Sequence, residues 1–194
     1  MQEIRFHGRG GQGTVVASIL LAKALFKAGN YVQTFPFFGV ERRGAPVEAY
    51  VRYDLKKIYI RTNVYEPDAV VVQDRTLINN IEVTKGLKTG GRLLINAPVI
   101  PDQLKVLSDF KIAYVDAVQI AIKNRLGTRT HPIINTAMVG AFAKILGILP
   151  IEAVTEAISE EISEKQEGNI IAAETAFEQV NYFDPEKSYK CLKL

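Results

Sequence analysis

The chain has 194 residues, of which 47% are hydrophobic and 23% are charged. That length is typical of one domain with a single hydrophobic core, and the composition excludes a disordered chain. The formal net charge is only +3, and no run of Lys or Arg exceeds two residues, so a nucleic-acid-binding surface is not expected. The longest apolar run near the N-terminus, residues 15–22, is too short to span a membrane.

Cysteine and histidine are scarce in this sequence. Cys191 is the only cysteine, so the chain cannot form an internal disulfide or supply the thiolates of an iron–sulfur cluster. The two histidines, His7 and His131, have no carboxylate at the spacing of a metal site. We therefore expect a cytoplasmic protein that binds no metal.

A glycine-rich segment lies between the first predicted strand and the first predicted helix. Ile4 and Phe6 alternate with polar residues as in a strand, and a helix is predicted over residues 13–28. The glycines between them have the spacing G-x-G-x-x-G, which at a strand–helix turn brings backbone N–H groups against a phosphate. The pattern predicts an anion-binding turn made of Gly8, Arg9, Gly10, Gly11, Gln12 and Gly13.

The same glycine spacing also occurs in dinucleotide sites, where the second strand ends in a carboxylate that binds the ribose. The second predicted strand, residues 31–35, contains no carboxylate, and Glu41 follows in a loop. With Arg9 inside the turn, this favours a phosphate-bearing ligand over NAD. A tight turn with a purely structural role is the alternative.

The middle of the chain predicts a mixed sheet. Residues 47–53 and 57–61 alternate apolar and polar positions, which predicts an antiparallel hairpin. Residues 68–73 form an unbroken Val-rich run, typical of a central strand covered on both faces. Strands at 93–95 and 112–115 then alternate with helices at 76–81, 101–107 and 117–126, as in parallel βαβ crossovers.

The last third of the chain is predicted to be helical, with helices at 135–146, 150–162 and 169–180. Small residues at the start of the first of these helices allow another element to pack closely. We therefore predict an α/β fold with three layers over residues 1–183. It has a mixed, mostly parallel sheet, a Rossmann-like N-terminal βα turn and a helical C-terminal third, followed by a polar tail at 184–194.

Residues 36–46 are the longest stretch without a secondary-structure signal, and such a connection in a compact domain is usually functional. Its phenylalanines could fold back into the core while its charges are solvated. Alternatively, they form an aromatic anchor beside a charged fork, at a subunit interface or around a phosphorylated cofactor. The residues predicted to make such contacts are Phe37, Phe38, Glu41, Arg42 and Arg43.

Three motifs follow one another along the chain: HGRGGQG at 7–13, FPFFGVERRGAPV at 35–47 and NTAMVGA at 135–141. Together they strongly resemble the gamma subunit, or gamma domain, of the 2-oxoacid:ferredoxin oxidoreductases, of which pyruvate:ferredoxin oxidoreductase is the best-known member. The resemblance extends from Glu3 to about Tyr182. Three motifs in the right order are far more specific than any one of them.

The resemblance implies an enzyme that decarboxylates a 2-oxoacid on thiamine diphosphate, passes electrons through iron–sulfur clusters to ferredoxin and transfers the acyl group to coenzyme A. Thiamine diphosphate and the clusters would belong to the alpha, beta and delta subunits, since this chain lacks both the cysteines and a Gly-Asp-Gly signature. Gamma alone would be inactive, a scaffold whose glycine turn holds coenzyme A phosphates. Pyruvate is the default substrate, with 2-oxoisovalerate or another 2-oxoacid as the alternative. A free-standing Rossmann-type nucleotide-binding protein is the competing interpretation.

Overall fold

The computed structural model describes residues 1–37 and 44–183, and their strands form one seven-stranded sheet. The strands are β1 (Gln2–Arg9), β2 (Tyr31–Phe37), β3 (Pro46–Asp54), β4 (Ala69–Val72), β5 (Arg92–Asn96), β6 (Lys111–Val115) and β7 (Asn181–Tyr182). Their order is β2-β3-β1-β4-β5-β6-β7. The four central strands β1, β4, β5 and β6 are parallel, while β3 is antiparallel to β1 and β2, and β7 is antiparallel to β6. The predicted α/β fold with a mixed, mostly parallel sheet is confirmed.

Helices cover the two faces of the sheet unequally. They are α1 (Thr14–Lys27), α2 (Asp102–Lys105), α3 (Ala117–Lys123), α4 (Asn135–Leu146), α5 (Ile151–Glu161) and α6 (Gln166–Gln179), with a 3₁₀ helix at Arg75–Asn79. The larger core cluster joins one face of the sheet to α1, α3, α4, α5 and α6. The smaller cluster joins the other face to the 3₁₀ helix, α2 and the turns around Val83 and Leu87.

The Val-rich run predicted as a central strand is β4, and all four of its residues are buried. It lies between β1 and β5, and its side chains alternate between the two core clusters, with Val71 in the larger and both Val70 and Val72 in the smaller. A strand buried on both faces has no polar side to present, which explains the absence of alternation in its sequence.

The predicted hairpin between residues 47–53 and 57–61 is wrong. The strand at 46–54 pairs instead with β1, in a register that places Gln2 opposite Tyr53, and with β2 on its other side. Residues 57–61 are not a strand. Backbone carbonyls in that region accept hydrogen bonds from side chains of the sheet: Ile58 from Gln33, and Thr62 from Arg52. Short-range alternation predicted pairing with the nearest segment of the chain, whereas β3 lies in the sheet between β1 and β2.

Other element boundaries also differ from those predicted. β2 continues through Pro36 to Phe37, which is possible because β2 is an edge strand, where a missing N–H can be tolerated. β7, a two-residue strand, was not predicted, and α3 ends at Lys123 rather than at 126. The predicted C-terminal helices are present as α4, α5 and α6.

Candidate functional site

The glycine turn connects the end of β1 to the start of α1, at the edge of the sheet where the parallel strands end. Gly11 and Gly13 have φ values of 90° and 74°, in the left-handed region that residues with a side chain rarely adopt. Gly13 is the N-cap of α1 and its carbonyl accepts a hydrogen bond from Ala17. The predicted strand–turn–helix is therefore present.

Several polar groups of the turn are used within the fold. The Gly10 N–H donates to the carbonyl of Ala45 (2.9 Å), and the Gly10 carbonyl accepts from the Gly44 N–H (3.2 Å). The Arg9 N–H donates to Gln12 Oε1 (2.8 Å), and the Gln12 N–H donates to the carbonyl of Arg9 (3.0 Å). The turn is thus a closed, self-bonded loop that is also tied to the start of β3.

The donors left for a ligand are at the first turn of α1. The N–H groups of Thr14, Val15 and Val16 have no acceptor within the described parts of the chain. These groups lie at the positive end of the helix dipole, where a phosphate or carboxylate is stabilised.

Gly8 has a packing role that the sequence spacing does not distinguish from ligand binding. A Cβ atom at this position would lie 2.0 Å from Thr14 Oγ1 and 2.9 Å from Gln73 Oε1. A side chain here would displace the Thr14 hydroxyl and the Gln73 amide from their present positions, so Gly8 makes room for both.

The Arg9 guanidinium is bound to three neighbouring segments of the chain. Its Nε donates to Asp74 Oδ2 (2.9 Å), one terminal nitrogen donates to the carbonyl of Gly44 (3.0 Å) and the other to Thr76 Oγ1 (2.8 Å). Burial alone would raise the pKa of Asp74, but hydrogen bonds from Thr76 and Gln12, with the charge of Arg9, hold this pKa below its usual value. The charge predicted to face an anion is thus directed at Asp74.

A pocket of about 640 Å³ opens beside the glycine turn, at the carboxyl ends of the parallel strands. Gln73, Asn96 and Asp116, the end or next residue of β4, β5 and β6, line it, together with Asn135 at the start of α4. This is the position at which open α/β sheets bind ligands.

The polar side chains that line this pocket differ in how many hydrogen bonds they make within the fold. Asn96 donates to the carbonyl of Gln73 (2.9 Å) and accepts from the Ala117 N–H (3.1 Å), and Asp116 caps α3 by accepting from the Gln119 N–H (2.9 Å). Gln73 is 1% exposed, and neither atom of its side-chain amide has a partner in residues 1–37 or 44–183. Sequence reasoning missed Gln73, Asn96 and Asp116, although a polar residue at the end of each apolar strand is a usable signal.

The third motif forms α4, whose first turn lies against the glycine turn. Asn135 is the first residue of this helix, and its Nδ2 lies 2.9 Å from the position that a Cβ of Gly13 would take. Further along, a Cβ at Gly140 would lie 2.1 Å from the carbonyl oxygen of Ala173 in α6. The expected packing role of these small residues is confirmed, since Gly140 allows backbone contact between α4 and α6.

His7 is not among the residues that line the pocket beside the glycine turn, whereas His131 is. His7 is 2% exposed, and burial, which outweighs the favourable charge of Glu48, lowers its pKa to about 4. His131 lies in an exposed loop, with its Nδ1 3.1 Å from Thr130 Oγ1. Among the residues that the structure describes, no three His, Cys, Asp or Glu side chains form a cluster that could hold a metal ion.

Of the residues predicted to contact partners or phosphate, Phe37 is described and Phe38, Glu41, Arg42 and Arg43 lie outside the described residues. Phe37 ends β2 and is 47% exposed, with its ring 6.4 Å from that of Tyr50. Phe35 is partly buried, its ring 5.3 Å from Tyr50 and beneath the Arg52 guanidinium. Phe35 lies in β2 as predicted, and Phe37, predicted to lie in the stretch 36–46 without a secondary-structure signal, is the last residue of the same strand.

The sequence matches the family model described as pyruvate ferredoxin/flavodoxin oxidoreductase over residues 3–179. It is 51% identical to pyruvate synthase subunit PorC of Methanocaldococcus jannaschii, an alignment that covers 93% of this chain and 97% of the relative. It is 48% identical to the pyruvate/ketoisovalerate oxidoreductases common subunit gamma of Pyrococcus furiosus, covering 95% of this chain and all of the relative.

Solved structures give the same result. The fold is similar to that of pyruvate oxidoreductase subunit PORC from Thermotoga maritima, with a TM-score of 0.80, 35% identity and coverage of 94% of this chain and 98% of that one. It also resembles part of the 2-oxoglutarate:ferredoxin oxidoreductase of Magnetococcus marinus, with a TM-score of 0.70, 21% identity and coverage of 99% of this chain and 31% of that one. In the described residues, no helix is long and apolar enough to cross a membrane. The chain belongs to the pyruvate ferredoxin/flavodoxin oxidoreductase family.

Proposed function

We propose that this chain is the non-catalytic gamma subunit of a pyruvate, or related 2-oxoacid, ferredoxin oxidoreductase complex. The observation that carries the proposal is the end-to-end match, at 48–51% identity, to chains named as PorC or gamma subunits of pyruvate and ketoisovalerate oxidoreductases. Thiamine diphosphate and the iron–sulfur clusters would be held by the alpha, beta and delta partners, and ferredoxin would accept the electrons.

The substrate would be chosen by the partner subunits. Relatives in Thermococcus and Pyrococcus are named as a gamma subunit common to pyruvate and ketoisovalerate oxidoreductases, so one gamma chain serves both enzymes there. Pyruvate is the proposed substrate, with 2-oxoisovalerate as the alternative.

The sheet order disfavours a free-standing dinucleotide enzyme. In such a fold the strand that carries the ribose-binding carboxylate lies next to the first strand. Here β1 is flanked by β3 and β4, and β2 lies beyond β3 at the sheet edge. A carboxylate after β2 would therefore be too far from the glycine turn to complete the usual NAD site.

The subunit role is tested by purifying the native complex through a tag on this chain and identifying its components by mass spectrometry. We expect alpha, beta and delta chains, and reduction of a viologen acceptor that depends on coenzyme A and a 2-oxoacid. Parallel assays with pyruvate, 2-oxoisovalerate and 2-oxoglutarate would identify the substrate. A chain that purifies alone and reduces NAD or NADP would contradict the proposal.

We further propose that the pocket beside the glycine turn holds the phosphates of coenzyme A. The N–H groups of Thr14, Val15 and Val16, which have no acceptor in the described residues, would supply donors next to Gly13 of the pocket wall. The pocket, of about 640 Å³, would hold the diphosphate end of the cofactor. The 2-oxoglutarate:ferredoxin oxidoreductase of Magnetococcus marinus, part of which has the same fold, is described with 2-oxoglutarate, coenzyme A and succinyl-CoA bound. In this arrangement Arg9 holds the turn in place through Asp74 rather than contacting the phosphate.

A charge placed in the turn tests this cofactor role. Gly10 is not among the residues with positive φ, so its backbone angle does not itself require glycine. We expect Gly10→Asp to weaken coenzyme A binding to the assembled complex by about tenfold or more, because a carboxylate would lie near the phosphates. Gly10→Asn, which has the same shape without the charge, is the matched control. Equal affinities for the two variants in calorimetry would exclude a phosphate at the turn.

The segment after β2 is proposed as a contact with partner subunits. The support is the exposed ring of Phe37 at the end of an edge strand, followed in sequence by Phe38, Glu41, Arg42 and Arg43. Phe37→Ala with Arg42→Ala should leave the thermal stability of the isolated chain nearly unchanged while weakening co-purification with the partners. Retained assembly together with a large loss of stability would assign these side chains to the core instead.

A further inference from the structure

A second pocket, of about 450 Å³, lies on the face of the sheet opposite α1 and is separate from the pocket beside the glycine turn. Arg5 and His7 of β1 and Glu48 of β3 form its base, and Glu82 and Lys85 form its rim with Phe37. We call it the Arg5 pocket. Three of its residues are buried or half-buried ionisable groups, which is unusual for a surface without a ligand or partner.

The Arg5 guanidinium is the most deeply placed charge of this pocket. Arg5 is 7% exposed, and one of its terminal nitrogens donates to the carbonyls of Val83 (3.1 Å) and Lys85 (2.5 Å). Its Nε has no partner in the described residues. A buried cation bonded only to neutral carbonyls lacks the bonded counterion that buried charges ordinarily have.

The carboxylate nearest to Arg5 is already engaged. Glu48 accepts a hydrogen bond from the Tyr50 hydroxyl through Oε2, while its Oε1 lies 3.4 Å from His7 Nδ1. That separation exceeds a good hydrogen bond, and neither ring nitrogen of His7 has a hydrogen-bond partner in residues 1–37 or 44–183. The base of the pocket therefore holds the Arg5 guanidinium beside a neutral His7 ring, and neither forms a hydrogen bond with a carboxylate in the described residues.

The rim contains one charge of each sign. Lys85 and Glu82 are both exposed, and neither side chain forms a salt bridge or hydrogen bond with the described residues. Phe37, at the same rim, is 47% exposed and gives the pocket an apolar border. Aromatic residues and arginine are both enriched at interfaces between proteins.

We propose that the Arg5 pocket receives an aspartate or glutamate side chain of a partner subunit in the assembled complex. The incoming carboxylate would face the Arg5 guanidinium from the open side of the pocket, with Lys85 adding charge at the entrance. An anion is favoured over a cation because Arg5 is only 7% exposed, whereas the Glu48 side chain is 29% exposed and is therefore the better solvated of the two charges. The inference rests on the proposed role as a gamma subunit.

Two charge reversals at the rim distinguish the sign of the incoming group without disturbing the buried residues. Binding is measured by interferometry between each variant of the full chain and the remaining subunits purified as a gamma-free complex. Lys85→Glu should weaken association by about tenfold or more, since like charges would face each other across the interface. Glu82→Lys should leave association unchanged or strengthen it, and Lys111→Glu, an exposed position at the start of β6, should have no effect.

The other outcomes are equally specific. If Glu82→Lys weakens association while Lys85→Glu does not, the incoming group is a cation and the inference is wrong. Unchanged association for both rim variants, or an equal loss for Lys111→Glu, would also overturn it. Binding of acetate to the isolated chain in the Arg5 pocket, seen by NMR, with assembly unaffected by Lys85→Glu, would assign the pocket to a free carboxylate and overturn the inference. Failure of the wild-type chain to bind the other subunits would instead refute the proposed function.

Discussion

Replacing Gly140 by alanine tests whether α4 and α6 are in direct backbone contact. The new Cβ would lie 2.1 Å from the carbonyl oxygen of Ala173 and 2.7 Å from its Cα. Relieving this overlap requires the helices to separate by about 1 Å. Because backbone rather than a flexible side chain must move, the cost lies at the upper end of overpacking effects, about 3 kcal/mol.

Alanine also favours a helix over glycine by about 1 kcal/mol, which offsets part of that cost. We therefore expect Gly140→Ala to lower the free energy of unfolding by about 2 kcal/mol, which for a chain of this size corresponds to a fall in Tm of about 4–8 °C. Urea unfolding followed by circular dichroism measures the first quantity and calorimetry the second. Both are made on the isolated chain.

Gly168→Ala provides the matched control for this measurement. Gly168 lies in the first turn of α6, and a Cβ there would be 3.1 Å from the carbonyl oxygen of Asn124, its nearest neighbour. A shift of a few tenths of an ångström relieves that contact, so the gain in helix preference should leave stability unchanged or slightly raised. If Gly140→Ala were as stable as Gly168→Ala, the close approach of α4 to α6 would be refuted.

The remaining predictions concern chemistry and pH. The isolated chain should be colourless and inactive with a 2-oxoacid, coenzyme A and a viologen acceptor, since it has one cysteine, and stoichiometric visible absorbance from a cluster would contradict this. Burial lowers the pKa of His7 from 6.5 to about 4, so the unfolded chain binds a proton first as pH falls. The chain should lose up to about 3 kcal/mol of stability between pH 6.5 and 4 through this residue, with none lost above that range. His7→Gln should remove this part of the pH dependence of urea unfolding, and an unchanged slope would show that His7 titrates normally. The pKa of Asp74 is lowered by its hydrogen bonds and Arg9, so its stabilising contribution is complete above about pH 4 and is lost as pH falls through the lower folded pKa. The stability difference between wild type and Asp74→Asn, measured by urea unfolding, should therefore shrink below pH 4, and a difference that stays constant would exclude the ion pair as its cause.

Local sequence patterns predicted correctly those elements whose burial and backbone conformation are determined by neighbouring residues in the sequence. The Val-rich β4, the glycine turn and the three C-terminal helices were found because burial on both faces, positive φ and helical periodicity are all short-range signals. The hairpin at 47–61 was predicted wrongly because strand pairing is not local. The same alternation suits a neighbouring strand or β1, and only the packed sheet decides between them.

The candidate site likewise contains residues that local spacing predicts and residues that only the packed sheet brings together. The glycine turn could be identified from its spacing, but Gln73, Asn96 and Asp116 are separated by about 20 residues each and meet only because β4, β5 and β6 are adjacent and parallel. The direction of a long side chain is also invisible in the sequence. Arg9 was expected to face an anion, and Asp74, which attracts it, lies 65 residues away.

The contacts of Arg9 link the two regions to which the proposals assign binding. Its guanidinium holds the carbonyl of Gly44, and the neighbouring Gly10 exchanges backbone hydrogen bonds with residues 44 and 45. Residue 44 is where the chain re-enters the described structure after the segment proposed to contact partner subunits. The position of that segment's end is therefore tied to the glycine turn by three hydrogen bonds. A lysine in place of Arg9 could not reproduce this fork, because it cannot bind Asp74, Gly44 and Thr76 in one plane. The motif thus needs arginine at this position for its geometry as well as for its charge.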